Sequence, residues 1–269
     1  MTQLAVPLER DPNGITALLT PMNVARLSQT RRAMYSAPTF EADRRSMQAE
    51  VMDEPGVSAH DYRRCLRDLA QVNRLTFTHR PVLSWLDRVL PRHRPVTILD
   101  VAFGQGDLLR AIARWAKARG LDVTLQGIDL NPRSAAMARD ATPPALGITY
   151  LTGDVFTHAP KERPDFIISS QFTHHLDDEG VVRFVQWLRA TAKSGWFLTD
   201  LERHELAYRG FPLLCALAGW HAIVKRDGMV SIARSLRRPE WEDLLGRAEV
   251  SAEVRRCVPF RLSVEGLSP

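Results

Sequence analysis

The sequence predicts an α/β domain built on a mostly parallel sheet with helices on both faces. Between residues 96 and 201, short apolar runs without polar alternation, which are typical of strands buried on both faces, alternate with segments of helical periodicity. Such alternation favours right-handed crossovers and therefore parallel strands. Apolar residues make up 45% of the 269 positions, which is enough for a sizeable core.

The N-terminal part, residues 1–94, is predicted to be an arm followed by a helical cap. Residues 1–45 mix proline, Asn-Gly and arginine without a clear period. From Ser58 onward, apolar side chains recur every three or four positions, and Ser58 and Asp61 have the spacing of a helix cap. A second helix is predicted to begin at Pro81, because proline suits a first helical turn.

The sheet is predicted within residues 95–202. Aliphatic and β-branched runs mark the strands, Gly120 ends the first helix between them, and Pro132 begins the second. The predicted strands cover residues 96–101, 122–130, 148–155, 164–171 and 194–201, and the predicted helices cover residues 107–120, 132–140 and 178–193.

After this alternation, residues 203–236 are predicted to form a lid insertion over the carboxyl ends of the strands. They are apolar and partly helical, and the Arg-Asp-Gly sequence at residues 226–228 indicates a turn. Residues 237–269 are predicted to add one helix and a terminal hairpin whose strands meet near Pro259. A hairpin that follows a parallel sheet indicates that the last strand inserts antiparallel.

The charge distribution argues against nucleic-acid binding. The formal net charge is +5, but residues 96–200 carry 11 basic and 12 acidic side chains, and no block of like charge stands out. A solvated surface is therefore expected, and nucleic acid is not expected as a partner.

Cysteine usage and hydropathy predict a reduced, cytoplasmic protein. Cys65, Cys215 and Cys257 are odd in number and far apart, so neither a metal-ligand spacing nor a disulfide framework follows. The first residues lack the apolar core of a signal peptide, and no apolar run approaches the roughly 20 residues of a membrane span. We therefore expect no metal site and no stable membrane insertion.

Residues 98–107, ILDVAFGQGD, indicate where a ligand binds. A strand runs into a glycine turn, and in parallel sheets ligands bind outside the carboxyl ends of the strands. The dinucleotide pattern G-x-G-x-x-G fails because Leu109 stands at the third glycine, and no Walker loop is present. Asp100 and Asp107 would repel a pyrophosphate and suit a cationic ligand without phosphate, such as S-adenosylmethionine (SAM).

Four motifs in order resemble those of the Rossmann-like (class I) SAM-dependent methyltransferases. Residues 100–106, DVAFGQG, are similar to the family motif D-x-G-x-G-x-G, and acidic turns follow the second and third strands at residues 128–132 and 153–155. Residues 169–176 are similar to the stretch that faces the methyl donor. The resemblance implies a seven-stranded sheet with an antiparallel last strand, and SAM as the cofactor.

The resemblance also implies roles for individual residues. Asp129 stands where the family grips the ribose hydroxyls, and Asp154 where it meets the adenine amino group. Each acid has a simpler alternative, since Asp129 could cap a helix, Asp154 could shape a turn, and Asp107 could be a first-turn acid favoured by the helix dipole. The predicted cofactor-binding residues are Asp100, Ala102, Gly104, Gly106, Asp129, Leu130, Asp154, Val155 and Ser170.

Two residues depart from the family pattern. Ala102 replaces the first glycine of the motif, and alanine does not readily tolerate a positive φ. Phe103 stands where the family has a small residue or cysteine, and it is expected either to pack into the core or to lie against the cofactor. Because neither change removes the acid or the two later glycines, SAM binding is still predicted.

The catalytic candidates are His174 and His175, which follow the fourth strand. If the acceptor is a hydroxyl, a base with a pKa near 7 helps, and histidine is the natural choice. A similar histidine pair also occurs in family members where it transfers no proton, so a structural role is the alternative. Phe172, His204 and Tyr208 are predicted to contact the substrate, and the apolar lid favours a hydrophobic or aromatic acceptor.

The first functional hypothesis is O-methylation of a small aromatic or polyketide-derived hydroxyl by in-line methyl transfer, in secondary metabolism. It follows from the four motifs, the histidines and the apolar lid. Residues 69–75, LAQVNRL, and residues 200–203, DLER, also resemble a bacterial branch that includes ubiquinone, menaquinone and polyketide-associated methyltransferases. The alternatives are C-methylation of a quinone-like ring, and a SAM-binding sensor or scaffold protein that does not methylate. The N-terminal arm is expected to allow a homodimer.

Overall fold

The computed structural model describes residues 39–268 except positions 55 and 161. The chain divides into two compact units, residues 1–36 and 37–269, and the account below concerns the second. The N-terminal arm predicted over residues 1–45 therefore lies mostly outside the described residues. The predicted division of the remaining chain into cap, core, lid and C-terminal part stays a prediction.

A seven-stranded sheet forms the centre of the described unit, with strand order β3-β2-β1-β4-β5-β7-β6. Strands β1 to β5 run parallel, whereas β7 pairs antiparallel with both β5 and β6. The α/β class, the mostly parallel sheet and the antiparallel last strand are thus confirmed. The strands are β1 (Val96–Val101), β2 (Val123–Asp129), β3 (Thr149–Thr152), β4 (Phe166–Ser170), β5 (Gly195–Leu201), β6 (Glu253–Cys257) and β7 (Arg261–Leu267).

Eight α-helices accompany the sheet within the described residues. They are α1 (Ala59–Leu75), α2 (Arg80–Val89), α3 (Asp107–Ala118), α4 (Pro132–Ala141), α5 (Asp178–Thr191), α6 (Glu205–Ala218), α7 (Ala222–Arg234) and α8 (Arg238–Arg247). The predicted cap of α1 is present, since the Ser58 hydroxyl accepts a hydrogen bond from the backbone N–H of Asp61 at 3.0 Å.

Each face of the sheet buries a separate apolar core. On one face, Trp85 of α2 packs against Phe166 and Phe197, with ring centroids 5.6 and 5.2 Å away. On the other face, Trp196 of β5 and Trp241 of α8 are both almost fully buried. Burial on both faces explains why the central strands read as continuous apolar runs rather than as alternating ones.

The turn predicted at residues 226–228 is wrong, because these residues lie inside α7. A Cβ built on Gly228 would stand 2.0 Å from the ring of Phe211, which belongs to α6. The glycine therefore allows α6 and α7 to approach closely, which is a packing role rather than a turn role. Residues 205–234 form two packed helices where the sequence predicted a partly helical lid with a turn.

One strand is clearly shorter than predicted. The third strand was predicted over residues 148–155, but β3 ends at Thr152, and Val155 packs in the core instead of pairing. The terminal strands were predicted to meet near Pro259, and a turn over residues 258–260 does connect β6 to β7. No helix in the described part of the chain combines the length and apolarity needed to cross a bilayer.

Candidate active site

The polar residues of the site lie at the carboxyl ends of the parallel strands. Asp100 is the fifth residue of β1, Asp129 ends β2, Ser170 ends β4 and Asp200 lies near the end of β5. The chain reverses its direction of strand addition between β1 and β4, and a crevice for ligands opens at such a point. The register places Asp100 beside Gly127 of β2 and Ile168 of β4.

The glycine turn after β1 adopts left-handed backbone at three positions. Ala102 has φ 60°, Gly104 has φ 56° and Gly106 has φ 73°. Ala102 is thus in the conformation that glycine would adopt at lower cost, which makes it a strained position. A Cβ on Gly104 would meet no atom within 4 Å, so that side of the turn is open to a ligand.

Phe103 resolves the alternatives that the sequence left open. It is buried, and its ring centroid lies 4.9 Å from that of Tyr150. It also lies so close to Gly127 that a Cβ there would stand 2.5 Å from the Phe103 ring. The phenylalanine therefore packs into the core beneath the turn, and the backbone of the turn is left to face the cofactor.

Asp100 is 1% exposed, and its Oδ2 atom lacks a hydrogen-bond partner among the described residues. Burial, together with the nearby charges of Asp107 and Asp129, raises the pKa of Asp100 well above its usual value. An unpaired buried carboxyl costs free energy unless a cationic or donor group supplies the missing contact. The amino group of SAM is such a group, so Asp100 fits the predicted cofactor.

Asp129 is held by two backbone donors. One carboxylate oxygen accepts from the Gly104 N–H and the other from the Asn131 N–H, both at 2.9 Å. The helix cap of α4 is Asn131, whose side chain accepts from the Arg133 N–H at 3.0 Å, so Asp129 is not the cap. Burial raises the pKa of Asp129, even though these donors act to lower it. The neighbouring Leu130 is largely exposed and presents an apolar surface.

The remaining predicted cofactor residues differ in position. Asp154 is exposed, and its carboxylate accepts from the Phe156 N–H at 2.9 Å, which is a turn contact. Ser170 is half-buried at the end of β4, whereas Val155 is buried in the apolar core. The adenine-side contacts of Asp154 and Val155 therefore stay predictions.

Helix α1 lies across the glycine turn. The side-chain amide of Asn73 donates to Asp107 at 2.9 Å and accepts from the Gln171 amide at 2.7 Å. Burial would raise the pKa of Asp107, but its hydrogen bonds with His79 and Asn73 outweigh burial and lower that pKa. Asp107 thus connects the cap to the first turn of α3 in addition to lying at a helix N-terminus.

His174 is buried between two carboxylates. It is 3% exposed, its Nδ1 lies 2.7 Å from Asp200, and its Nε2 lies 3.4 Å from Glu50. Burial disfavours the charged imidazole, but the two carboxylates outweigh it and raise the pKa of His174 to about 9. His174 is therefore protonated at neutral pH, so it cannot accept a further proton and cannot act as a base in this state.

His175 lies beside this pair and is partly open to solvent. Its side chain is 30% exposed, its Nε2 lies 3.9 Å from the same Glu50 oxygen, and its Nδ1 lies 3.5 Å from Asp53. The two imidazole rings are 4.3 Å apart between centroids. We call Glu50, His174 and His175 the histidine–glutamate cluster.

The segment of residues 39–54 supplies the acids of this cluster and is fastened to α7. The Ser231 hydroxyl donates to Glu50 at 2.7 Å, and the backbone N–H groups of Val51 and Met52 donate to Asp227 at 2.9 and 2.8 Å. On the other side, the Arg234 guanidinium donates to the backbone carbonyl oxygens of His174 and His175. Helix α7 therefore holds both halves of the cluster in place.

Sequence reasoning missed several of these residues. Asp200 could have been found, because it follows the same strand-end rule as Asp100 and Asp129. Glu50 and Asp53 offered no comparable signal, since they lie in a 3₁₀ turn and an extended segment without periodicity. Asp227 was hidden by the wrong turn assignment.

The three predicted substrate residues make packing and capping contacts. The Phe172 ring lies 5.1 Å from that of Phe184, and Tyr208 packs against Phe40 at 4.7 Å. His204 accepts from the Leu206 N–H at 3.1 Å and so caps α6. Their substrate contacts stay predictions.

The apolar surface expected inside the lid faces outward in part. Leu206, Leu213 and Leu217 of α6 are between 64% and 80% exposed. These leucines therefore do not line an enclosed pocket in this conformation, and the apolar composition of α6 reflects an exposed helix face.

Comparison with known proteins agrees with this geometry. Residues 98–195 match the family whose description is "Methyltransferase domain". Residues 98–195 form a methyltransferase domain within a Rossmann-like fold. SAM is its cofactor. The roles of Asp100, Gly104, Gly106 and Asp129 in holding it stay predictions.

Two curated relatives are similar to part of this chain. The trans-aconitate 2-methyltransferases of Mycobacterium ulcerans and Mycobacterium marinum are each 30% identical over 123 residues, which is 45% of this chain and 42% of each relative. The matched stretch thus spans about two fifths of the length of these curated relatives.

Solved methyltransferase structures share the fold. A SAM-dependent methyltransferase from Aquifex aeolicus superposes with a TM-score of 0.55 at 19% identity, covering 76% of this chain and 97% of that one. The plantazolicin methyltransferase BamL superposes with a TM-score of 0.56 at 13% identity, covering 78% and 90%. These likenesses concern the fold.

Proposed function

We propose that this chain transfers a methyl group from SAM to a hydroxyl oxygen of a small aromatic or polyketide-derived molecule. The observation that carries the proposal is the histidine–glutamate cluster, whose two histidines come shortly after β4, the strand that pairs with the one bearing Asp100. The Ser169 hydroxyl donates to the Val101 carbonyl at 2.8 Å and ties the ends of these two strands together.

The chain's own residues bind and orient the cofactor. Bound SAM supplies an electrophilic methyl group on a sulfonium. Asp100 offers its unpaired carboxyl to the amino group, and the open side of Gly104 allows close approach of the backbone. Asp129 fixes the turn from the other side through the Gly104 N–H. Positioning of this kind accounts for several kcal/mol in displacement reactions.

Within the cluster, His175 is the residue that an acceptor can reach. His174 is fully enclosed and faces a carboxylate at each ring nitrogen. We therefore assign it a positioning role, in which it orients the residues around it. His175 is partly exposed, and Asp53 at its Nδ1 favours the tautomer that carries the proton on Nδ1, which leaves Nε2 free to accept a proton. Activation of the acceptor hydroxyl therefore depends on His175.

Oxygen is favoured over carbon as the acceptor atom because of this cluster. A hydroxyl must lose its proton before or during methyl transfer, and charged or basic groups assist that loss. An activated ring carbon needs less acid–base assistance, so two histidines held between carboxylates would contribute less to its methylation. The trans-aconitate relatives are named for a small acceptor, which supports a small molecule here.

The cellular setting forms part of the same proposal. Cys65, Cys215 and Cys257 are all free thiols, which supports a reducing compartment such as the cytoplasm. A role in secondary metabolism follows from the resemblance to polyketide-associated methyltransferases.

The test combines SAM titration calorimetry with methyl transfer to a panel of phenols and enols, followed by mass spectrometry. His175→Gln is expected to lower kcat about 100-fold or more while SAM affinity stays unchanged, since acid–base assistance contributes about this much. His60→Gln is the matched control, because His60 also faces an aspartate but is 81% exposed on α1.

Three outcomes would contradict the proposal. If neither the wild type nor Asp129→Ala bound SAM, the proposed methyltransferase activity itself would be contradicted. Full activity of the His174→Ala, His175→Ala double variant with a ring-carbon product would indicate C-methylation instead. SAM binding without turnover on any acceptor of the panel would favour a sensor or scaffold protein.

A further inference from the structure

The histidine–glutamate cluster has the donor set of a metal centre. Its three ligand atoms, one from each residue, all lie within 4.8 Å of one another. Two imidazole nitrogens and one carboxylate oxygen are the donors of known zinc and non-haem iron centres that keep positions open for an exogenous ligand.

The distances are close to those that an ion would impose. Ligands about 2.1 Å from a tetrahedral ion stand about 3.4 Å apart. The Glu50 Oε1 to His174 Nε2 distance is 3.4 Å, and the Glu50 Oε1 to His175 Nε2 distance is 3.9 Å. Because the ligand atoms lie within 4.8 Å of one another, a movement of the partly exposed His175 by about 1 Å would complete the geometry.

The groups behind the ligands match those that support metal-bound histidines. A histidine ligand usually donates its other ring nitrogen to a carboxylate, which fixes its tautomer and orientation. Asp200 lies 2.7 Å from Nδ1 of His174, and Asp53 lies 3.5 Å from Nδ1 of His175. Ser231 donates to the Glu50 carboxylate at 2.7 Å and orients it.

The charge balance also favours a cation. Glu50 and Asp200 are both buried, and the imidazole of His174 lies between them. The guanidinium of the neighbouring Arg234 donates to backbone carbonyl oxygens and not to these two acids. A divalent ion would neutralise both carboxylates by displacing the proton that His174 otherwise holds between them.

We infer that Glu50, His174 and His175 bind one divalent transition-metal ion of the zinc or ferrous type. The sequence offered no such spacing, because Glu50 stands more than a hundred residues before the two histidines. His175 and Asp53 are the more exposed side chains of the group, so an exogenous ligand would approach the ion from their side.

The role of the ion in catalysis rests on the proposed function. An acceptor hydroxyl that occupies the open position would have its pKa lowered by the ion and would release its proton to solvent water. His175 then acts as a ligand, and its loss reduces turnover because the ion is lost.

The experiment measures metal binding directly. The full chain without an affinity tag is treated with EDTA, dialysed, and titrated with Co²⁺ alone, with metal content and visible d–d absorption as readouts. One Co²⁺ per chain is expected. Glu50→Gln and His175→Gln should each weaken binding about 100-fold or more, whereas His60→Gln should bind as the wild type does. SAM calorimetry on every variant reports whether the fold is retained.

X-ray absorption at the cobalt edge of the wild type gives a second measurement that needs no variant, and two imidazole ligands are expected. The site is overturned if the wild type binds no Co²⁺, if both cluster variants bind it as tightly as the wild type, or if the spectrum contains no imidazole. SAM binding without Co²⁺ binding would overturn the metal site and leave the methyltransferase proposal intact. Co²⁺ binding without SAM binding would overturn the methyltransferase proposal and leave the metal site intact.

Discussion

The carboxylate of Asp129 accepts a hydrogen bond from the backbone N–H of Gly104 at 2.9 Å. This contact joins the end of β2 to the glycine turn after β1, so the acid that is predicted to hold the ribose also shapes the turn. The geometry of the cofactor site therefore depends on two adjacent strand ends rather than on the glycine motif alone.

Replacement of Asp129 by alanine should weaken SAM binding. A hydrogen bond to a charged group contributes about 1.5–3 kcal/mol, which corresponds to roughly 10- to 150-fold in the dissociation constant. Titration calorimetry measures the change, and Asp140→Ala on the exposed side of α4 is the control. Equal affinities of the two variants for SAM would show that Asp129 does not contact the cofactor.

Asp100→Asn should weaken SAM binding by a similar factor and should also stabilise the protein at pH 7. Burial raises the pKa of Asp100, so the folded state prefers the protonated carboxyl. The stability that Asp100 contributes is therefore complete below the pKa of the unfolded chain and is lost as pH rises toward the folded pKa. Asparagine imitates the neutral carboxyl and avoids this loss.

Urea denaturation of the wild type and Asp100→Asn at pH 7 and pH 4 measures this effect. The variant should have the larger free energy of unfolding at pH 7, and the two proteins should converge near pH 4. A variant that is less stable at pH 7 would mean that Asp100 already has a favourable partner in the protein without cofactor.

Ala102→Gly should increase stability without a loss of SAM affinity. The left-handed backbone at Ala102 costs about 1–2 kcal/mol for a residue with a Cβ, while glycine loses about 0.5–1 kcal/mol more chain entropy on folding. A net gain of up to about 1.5 kcal/mol is expected from these terms. Ala111→Gly, inside α3, should instead cost about 1 kcal/mol. Destabilisation of both variants to the same extent would argue against strain at Ala102.

Gly106→Ala should destabilise the protein much more than Gly120→Ala. Both glycines have positive φ, but a Cβ on Gly106 would stand 2.4 Å from the Tyr150 hydroxyl, whereas one on Gly120 meets nothing within 4 Å. Overpacking adds about 1–3 kcal/mol to the backbone strain that the two variants share. Thermal unfolding compares them, and equal losses would show that Tyr150 moves aside.

Much of the cofactor side could be predicted from sequence because its signals are local. The strand before Asp100 is a short apolar run, and the glycines follow it within six residues. Strand-end acids such as Asp129 can be found by the same rule, since parallel strands bring their carboxyl ends to one edge. The conformation of Ala102 and the packing of Phe103 needed the structure, because both depend on the neighbouring strand.

The acceptor side was less accessible to sequence reasoning. His174 and His175 were found by their place after the fourth strand, but the sequence could not show that one is enclosed and the other partly exposed. Gly228 was misread as a turn residue, since glycine for a close helix contact and glycine for a turn look the same in sequence.

The sequence by itself determined the α/β class, the parallel core, the antiparallel last strand and the acid–glycine–acid arrangement of the cofactor turn. These features follow from hydrophobic periodicity and from residues a few positions apart. Only the tertiary structure decided which acids surround the histidines, because Glu50 and Asp53 come from an aperiodic segment far from them in the chain. Helix α7 brings the two together through Ser231, Asp227 and Arg234, and this convergence has no local signature.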